Sequence, residues 1–141
     1  MAVVASPKRF WDRVEKGDPD ECWHWRPAPN KRGYGVLTTW SGGKQTSEYA
    51  HRISYELSVG TIPEGLTIDH LCMNKRCVNP AHLEAVTGPI NSRRWSQSIT
   101  HCAHGHEYTE ANTYVDSRNC RNCRGCRVDQ ARRRRKGTVA A

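Results

Sequence analysis

The sequence predicts a small α+β fold in which metal ligands, rather than a large apolar core, hold short elements together. Three observations lead there. Residues Leu66 to Arg94, LTIDHLCMNKRCVNPAHLEAVTGPINSRR, read as an apolar strand, a Cys- and Asn-rich loop, a second short strand at Leu83 to Thr87 and a polar helix. Only 36% of the 141 residues are hydrophobic, with one Phe and a mean hydropathy of -0.82, against seven Cys and seven His. A chain of that composition needs staples in place of apolar burial. Finally, residues 1 to 117 hold thirteen Lys or Arg and thirteen Asp or Glu, so the whole formal charge of +8 sits in residues 118 to 141, where nine basic residues face only Asp129.

Each element has its own signal. Ser6-Pro7 is a helix start, Phe10, Trp11 and Val14 make one apolar face and Gly17 can end the run, so a short packing helix is expected over residues 7 to 16. The phrase ECWHW then places Cys22 between acidic and aromatic residues. Tyr34 to Trp40 is rich in β-formers, Ser41-Gly42-Gly43-Lys44 is a hairpin turn, and a strand returns near Gln45 and Thr46. A second helix is expected with Ser47 as its N-cap, Glu48 in its first turn and Gly60 just past its end, with Ala50, Ile53 and Leu57 facing the core and His51 and Arg52 on its other sides. Ile62-Pro63-Glu64-Gly65 turns the chain into the strand that ends in Asp69-His70, and Ile90 to Trp95 should be the helix that follows. Polar, aperiodic Ser96 to Thr100 marks a boundary. The expected organisation is a domain at 1–95 with its ββα core at 66–95, a linker at 96–101, a metal-binding module with a basic helix at 102–136, and a disordered tail at 137–141.

The cysteines set the compartment. Seven cannot all pair, and the spacings Cys72-x4-Cys77 and Cys123-x2-Cys126 are those of metal knuckles. MAVVAS is too short an apolar run for a signal peptide, and no stretch approaches the ~20 apolar residues of a membrane span. An intracellular, reducing setting is expected, with no membrane partner.

Asp69-His70, the Asn79 of VNPAHL and Asn91, twenty-one residues beyond His70, resemble the motif of the HNH, or His-Me finger, endonucleases, and the Cys-bearing loop is similar to that of the His-Cys box homing endonucleases. The resemblance implies a ββα-metal nuclease core in which His70 activates water, Asp69 and Asn91 hold one divalent cation, magnesium or manganese, and Asn79 shapes the loop and orients His70. It departs from many members by having Asn91 where they carry a second metal-binding His. The chemistry suits these residue types. A neutral imidazole with a pKa near 6.5 can take a proton from water at pH 7. A hard cation takes oxygen ligands and keeps positions open for substrate. Arg52, in an AHR phrase similar to one in relatives, resembles a residue that clamps the scissile phosphate; the competing reading is a salt bridge with Glu48 or Glu56.

Two zinc sites are expected. Cys72, Cys77 and His82 have the composition of a structural site lacking one ligand, and the resemblance implies an upstream Cys, for which Cys22 is the one candidate. Such a site contributes on the order of 10 kcal/mol to folding. The alternatives for His82 are a second catalytic His and, for the thiols, a small core of free cysteines. Cys102-x3-His106, followed after sixteen residues by Cys123-x2-Cys126, reads as a Cys3His ribbon or knuckle, and its Asn112-Thr113-Tyr114 is similar to the NTY of modules appended to relatives. Cys120 forms an overlapping Cys-x2-Cys with Cys123 and competes for a ligand position.

Arg127 to Lys136 then reads as a helix whose RRRRK end tracks phosphates without reading bases. Arg93, Arg94, Arg127, Arg132, Arg133, Arg134, Arg135 and Lys136 are the expected nucleic-acid contacts. The sequence thus points to a zinc-stabilised, single-metal DNA endonuclease of phage or mobile-intron type, acting in host cytoplasm if phage-encoded. The alternatives are a noncatalytic zinc-dependent nucleic-acid-binding protein and a subunit of a phage packaging machine that cuts only with its partner; a homodimer is the other protein partnership considered.

Overall fold

A computed structural model describes residues 6–137. The expectations for the opening MAVVA and for the tail beyond Gly137 lie outside the described residues. The fold is mixed α+β, and contacts divide the chain into two units, Met1–Asn91 and Ser92–Ala141.

The first unit opens with α1 (Pro7–Trp11), followed by β1 (Val14–Glu15) and β2 (His24–Trp25). The helix expected over residues 7 to 16 ends at Trp11, because Val14 and Glu15 are taken up pairing with Trp25 and His24. β3 (Val36–Ser41) and β4 (Lys44–Tyr49) form the expected hairpin, with Thr38–Ser47 and Thr39–Thr46 hydroxyl bonds across it. Its two-residue turn needs positive φ at both positions, which Gly42 (57°) and Gly43 (74°) supply without strain.

α2 (Ala50–Ser58) starts two residues later than expected, with Tyr49 rather than Ser47 at its N-cap. Ser47 and Glu48 belong to β4, where ladder pairing with Thr38 and Leu37 outcompetes capping. β5 (Leu66–His70) and β6 (Leu83–Thr87) are antiparallel, with Asp69 opposite Glu84 and His70 opposite Leu83. α3 (Gly88–Ser98) continues directly from β6, so the polar residues 96 to 98 read as linker are its last turn.

The core is small and aromatic. Phe10, Val14, Trp25, Leu37, Ala50, Ile53 and Val78 are buried together, with Trp11, Trp23 and Leu57 packed against them. Phe10 stacks on Trp25 at 5.3 Å between centroids. Each large side chain buried there is worth roughly 1.5 to 3 kcal/mol. Gly35 lets the hairpin approach: a Cβ on it would stand 2.8 Å from the Trp25 ring.

In the second unit β7 (Thr113–Val115) pairs with β8 (Arg121–Cys123), and α4 (Arg124–Gly137) follows at once. Arg121 lies over the Tyr108 ring and donates to the carbonyls of Ser96 and Ile99. Among the described residues no helix is long and apolar enough to cross a membrane.

Replacing Gly35 by Ala is expected to lower stability by about 1 to 3 kcal/mol through the clash with Trp25. Thermal unfolding by circular dichroism measures it, and a variant as stable as wild type would contradict the close packing described.

Candidate active site and metal centres

His70 is the last residue of β5, and both it and Asp69 are about 93% buried. Its Nε2 lies 3.1 Å from the backbone carbonyl of Cys77. A carbonyl only accepts, so Nε2 carries the ring proton and Nδ1 keeps its lone pair. Burial pushes the His70 pKa below the ordinary value, with Lys75 acting the same way; the Cys77 carbonyl and Asp69 pull it partly back. The result is a neutral imidazole, its tautomer fixed, able to take a proton at Nδ1.

The ring is packed on its flank by His51, which lies off the core face of α2 as its helical spacing predicts, yet is 94% buried and meets His70 edge-on at 4.6 Å. Tyr34 and Tyr49, from the loop before β3 and the end of β4, pack against His51 at 5.6 and 5.5 Å. Burial, then His70 and Arg52, push the His51 pKa down to about 3, and its Nδ1 has no hydrogen-bond partner. The charge of Arg52, half-buried on α2, also bears on Glu48, holding down a carboxyl that burial and Glu56 raise.

Asn79 lies in the loop between β5 and β6 and is almost fully buried. Its amide donates to the carbonyls of Pro19 (2.8 Å) and Glu21 (2.7 Å), and its oxygen accepts from the Ala81 N–H. It therefore fastens the loop that carries Cys77, whose sulfur lies 3.4 Å from the Asn79 N–H and whose carbonyl meets His70. Asn91 is half-buried in the first turn of α3, in the same unit as Asp69 and His70.

Anchoring residues 19 to 21 on Asn79 brings the distant Cys22 to the loop. Backbone bonds from Val78 to Trp23 and from Trp25 to Arg76 continue the crossing. The ligand atoms of Cys22, Cys72, Cys77 and His82 consequently lie within 4.8 Å of one another. His82 Nδ1 is 3.7 Å from Cys22 Sγ and 3.6 Å from Cys77 Sγ. Tetrahedral zinc, with bonds of about 2.0 to 2.3 Å, sets its ligand atoms roughly 3.3 to 3.8 Å apart. Burial pushes the Cys77 thiol up to about 12 and raises Cys72 too, so thiolates here call for a cation beside them. The donor set fits a soft divalent ion.

In the second unit Cys102, His106, Cys123 and Cys126 form the other such cluster. Cys102 and Cys126 sulfurs are 3.4 Å apart, and His106 Nδ1 lies 3.5 and 3.4 Å from them. The Cys126 thiol is pushed up to about 12, first by its bond with Cys102 and then by burial. Asn112 builds the cradle, donating to the Glu107 carbonyl and accepting from the Gly125 N–H. A side chain at Gly125 would press on His106 and Asn112 at 3.2 to 3.3 Å. Cys120 is exposed beside the Arg118 carbonyl, outside the cluster. His104, unnoticed in the sequence, sits with Nδ1 3.5 Å from Cys126 Sγ.

The basic residues are placed as follows. Arg127, Arg132, Arg133, Arg134, Arg135 and Lys136 are exposed along α4. Arg93 is exposed on α3 and Arg94 is half-buried there.

Residues 48–93 match the HNH endonuclease family, the stretch that runs from the end of β4 to α3. The chain is 38% identical over 71 residues to Protein 2.8 of Escherichia phage T7, covering 50% of this chain and 46% of that one. It is 37% identical over 73 residues to Protein 7.7 of the same phage, covering 52% and 53%. An uncharacterized gene 5.3 protein of Enterobacteria phage T3 is 36% identical over 59 residues, covering 40% and 58%. The chain thus spans about half the length of the curated relatives it matches. No solved structure matches it.

The buried imidazoles carry a stability signature. Folded His51 binds a proton only near pH 3, whereas an unfolded histidine binds one near 6.5. The unfolded state therefore takes up more protons in between, so this contribution is complete above about pH 6.5 and is lost as pH falls toward 3. Replacing His51 by Phe should flatten the loss. Urea unfolding of both proteins at pH 7.5 and 5 measures the difference, and parallel losses would show that His51 is not buried neutral.

Proposed function

We propose that this chain, with an HNH endonuclease segment at residues 48–93, is a metal-dependent DNA endonuclease that hydrolyses phosphodiester bonds. The observation that carries the reading is the His70 ring. It is neutral, has its Nε2 proton tied to the Cys77 carbonyl and keeps Nδ1 free to accept. His70 takes the proton of the attacking water at Nδ1, and the fixed ring loses no orientation while doing so. General-base catalysis of this kind is worth about a hundredfold to ten-thousandfold, roughly 3 to 5 kcal/mol.

Asp69 and Asn91 supply the oxygen ligands that would hold one divalent cation, magnesium or manganese. When bound, that ion neutralises charge on the phosphate and on the departing sugar oxygen. Arg52 offers a guanidinium to the scissile phosphate. The two Cys/His clusters take structural zinc: Cys22, Cys72, Cys77 and His82 fix the loop that anchors His70, and Cys102, His106, Cys123 and Cys126 fix the second unit. Arg93, Arg94, Arg127, Arg132, Arg133, Arg134, Arg135 and Lys136 contact backbone phosphates, giving binding with little sequence preference. The three phage relatives support a phage-type role in the host cytoplasm.

Cleavage of supercoiled plasmid at low salt, with magnesium or manganese, tests this. Wild type should cut and EDTA should stop it. His70→Ala should retain DNA binding while cutting falls about a hundredfold or more. Retardation of DNA by both proteins with no cutting by either would instead support a binding protein or a partner-dependent subunit. A second test addresses α4: replacing Arg132 to Arg135 with Ala should flatten the dependence of log affinity on log salt by roughly 0.9 for each phosphate no longer neutralised. An unchanged slope would remove α4 from the interface.

A further inference from the structure

His106 turns Nδ1 toward the thiols of Cys102 and Cys126, and its other nitrogen, Nε2, lies 3.3 Å from the Asp129 carboxylate. An imidazole that gives Nδ1 to a metal must carry its proton on Nε2, and a carboxylate is the acceptor that best holds that proton and makes the ring a better ligand. Asp129 is the one acid among the last twenty-four residues, set against nine bases. It has Arg132 and Arg133 three and four positions on, the spacing for a local helix pair, and yet its carboxylate is on the ring. A second imidazole competes for the cluster, since His104 Nδ1 is 3.5 Å from the Cys126 sulfur.

From this geometry we infer that Asp129 is the positioning residue of the second cluster, orienting His106 as the fourth ligand in preference to His104. Cys126 and Asp129 leave α4 one turn apart and hold the same ring, so the carboxylate also pins the arginine-bearing helix to the metal centre. The inference rests on the reading of this cluster as a zinc site. It explains an acid in a helix otherwise built for phosphate: the helix spends one negative charge on its own anchorage.

The test is chelator competition on the zinc-loaded full chain, with nitrogen NMR of histidine-labelled protein to read the His106 tautomer. Wild type should release two zinc ions and show His106 protonated at Nε2. Asp129→Ala should weaken one ion about 10- to 100-fold, leave the other unchanged and lose the single tautomer signature. Asp129→Asn, whose amide oxygen can still accept from Nε2, should recover much of the affinity and the tautomer signature, whereas Asp129→Leu, which fills similar space without an acceptor, should recover neither; rescue by Leu would show a steric role and overturn the inference. Two zinc ions held as tightly in Asp129→Ala as in wild type would overturn the role of Asp129 alone. A wild type holding no zinc at Cys102, His106, Cys123 and Cys126 would overturn the zinc reading and the inference with it.

Discussion

The candidate active site depends on Cys77, because one residue serves two structures at once. Its sulfur belongs to the Cys22, Cys72 and His82 cluster, and its carbonyl receives the Nε2 proton of His70. Anything that moves the thiol moves the carbonyl, which is a few covalent bonds away, so the order of the metal-ligand loop and the tautomer of His70 are mechanically linked. The link matters because this unit has little else to stiffen the loop. Its apolar cluster is small, and the loop carries Asn, Lys, Arg and Cys rather than residues that bury well. A ligand cluster fixes such a loop without needing an apolar face, but it requires that a distant segment be delivered to it.

Asn79 makes that delivery. Its amide holds the Pro19 and Glu21 carbonyls, and the following residues run across Arg76 to Val78 by backbone bonds. An asparagine suits the position because one amide both donates twice and accepts once, which neither Asp nor Leu can do. With residue 79 almost fully buried, losing those bonds would leave two carbonyls unsatisfied. The motif asparagine is therefore a fastening between two parts of the chain about sixty residues apart, and it holds the loop whose Cys77 carbonyl meets the His70 ring.

The sequence made the local features legible and the cross-chain ones only in part. The Gly42-Gly43 turn, the order of β5, β6 and α3, and the close-spaced pairs Cys72/Cys77 and Cys123/Cys126 follow from turn chemistry, alternation and ligand spacing, which act over a few residues, whereas Cys22 entered its group only through the family resemblance. Helix starts were misread where pairing intervened: Ser47 has the chemistry of a cap, but its backbone is committed to Thr38 across the hairpin. His51 was hidden for a related reason. Helical periodicity places it off the face of Ala50, Ile53 and Leu57, and that is true, but the other face is covered by Tyr34, Tyr49 and His70, which come from three separate elements. Only the tertiary arrangement makes that second face an interior. The apolar residues of α2 serve the core, and its histidine serves the site.

Charge is divided between the units as sharply as the ligands are. Residues 1–91 hold eleven basic and ten acidic residues, and residues 92–141 hold eleven basic and four acidic. The unit with His70 is nearly neutral, and the unit with α4 is strongly cationic. A cation-rich surface around His70 would depress its basicity further, on top of what burial and Lys75 already do, and a base pushed too low accepts protons poorly. On the proposed reading, the excess positive charge is carried by residues 92–141, in the unit that does not hold His70. Each unit has its own Cys/His cluster, so each has a set of side chains of its own that a metal ion could draw together, in place of the large apolar core that this composition does not allow.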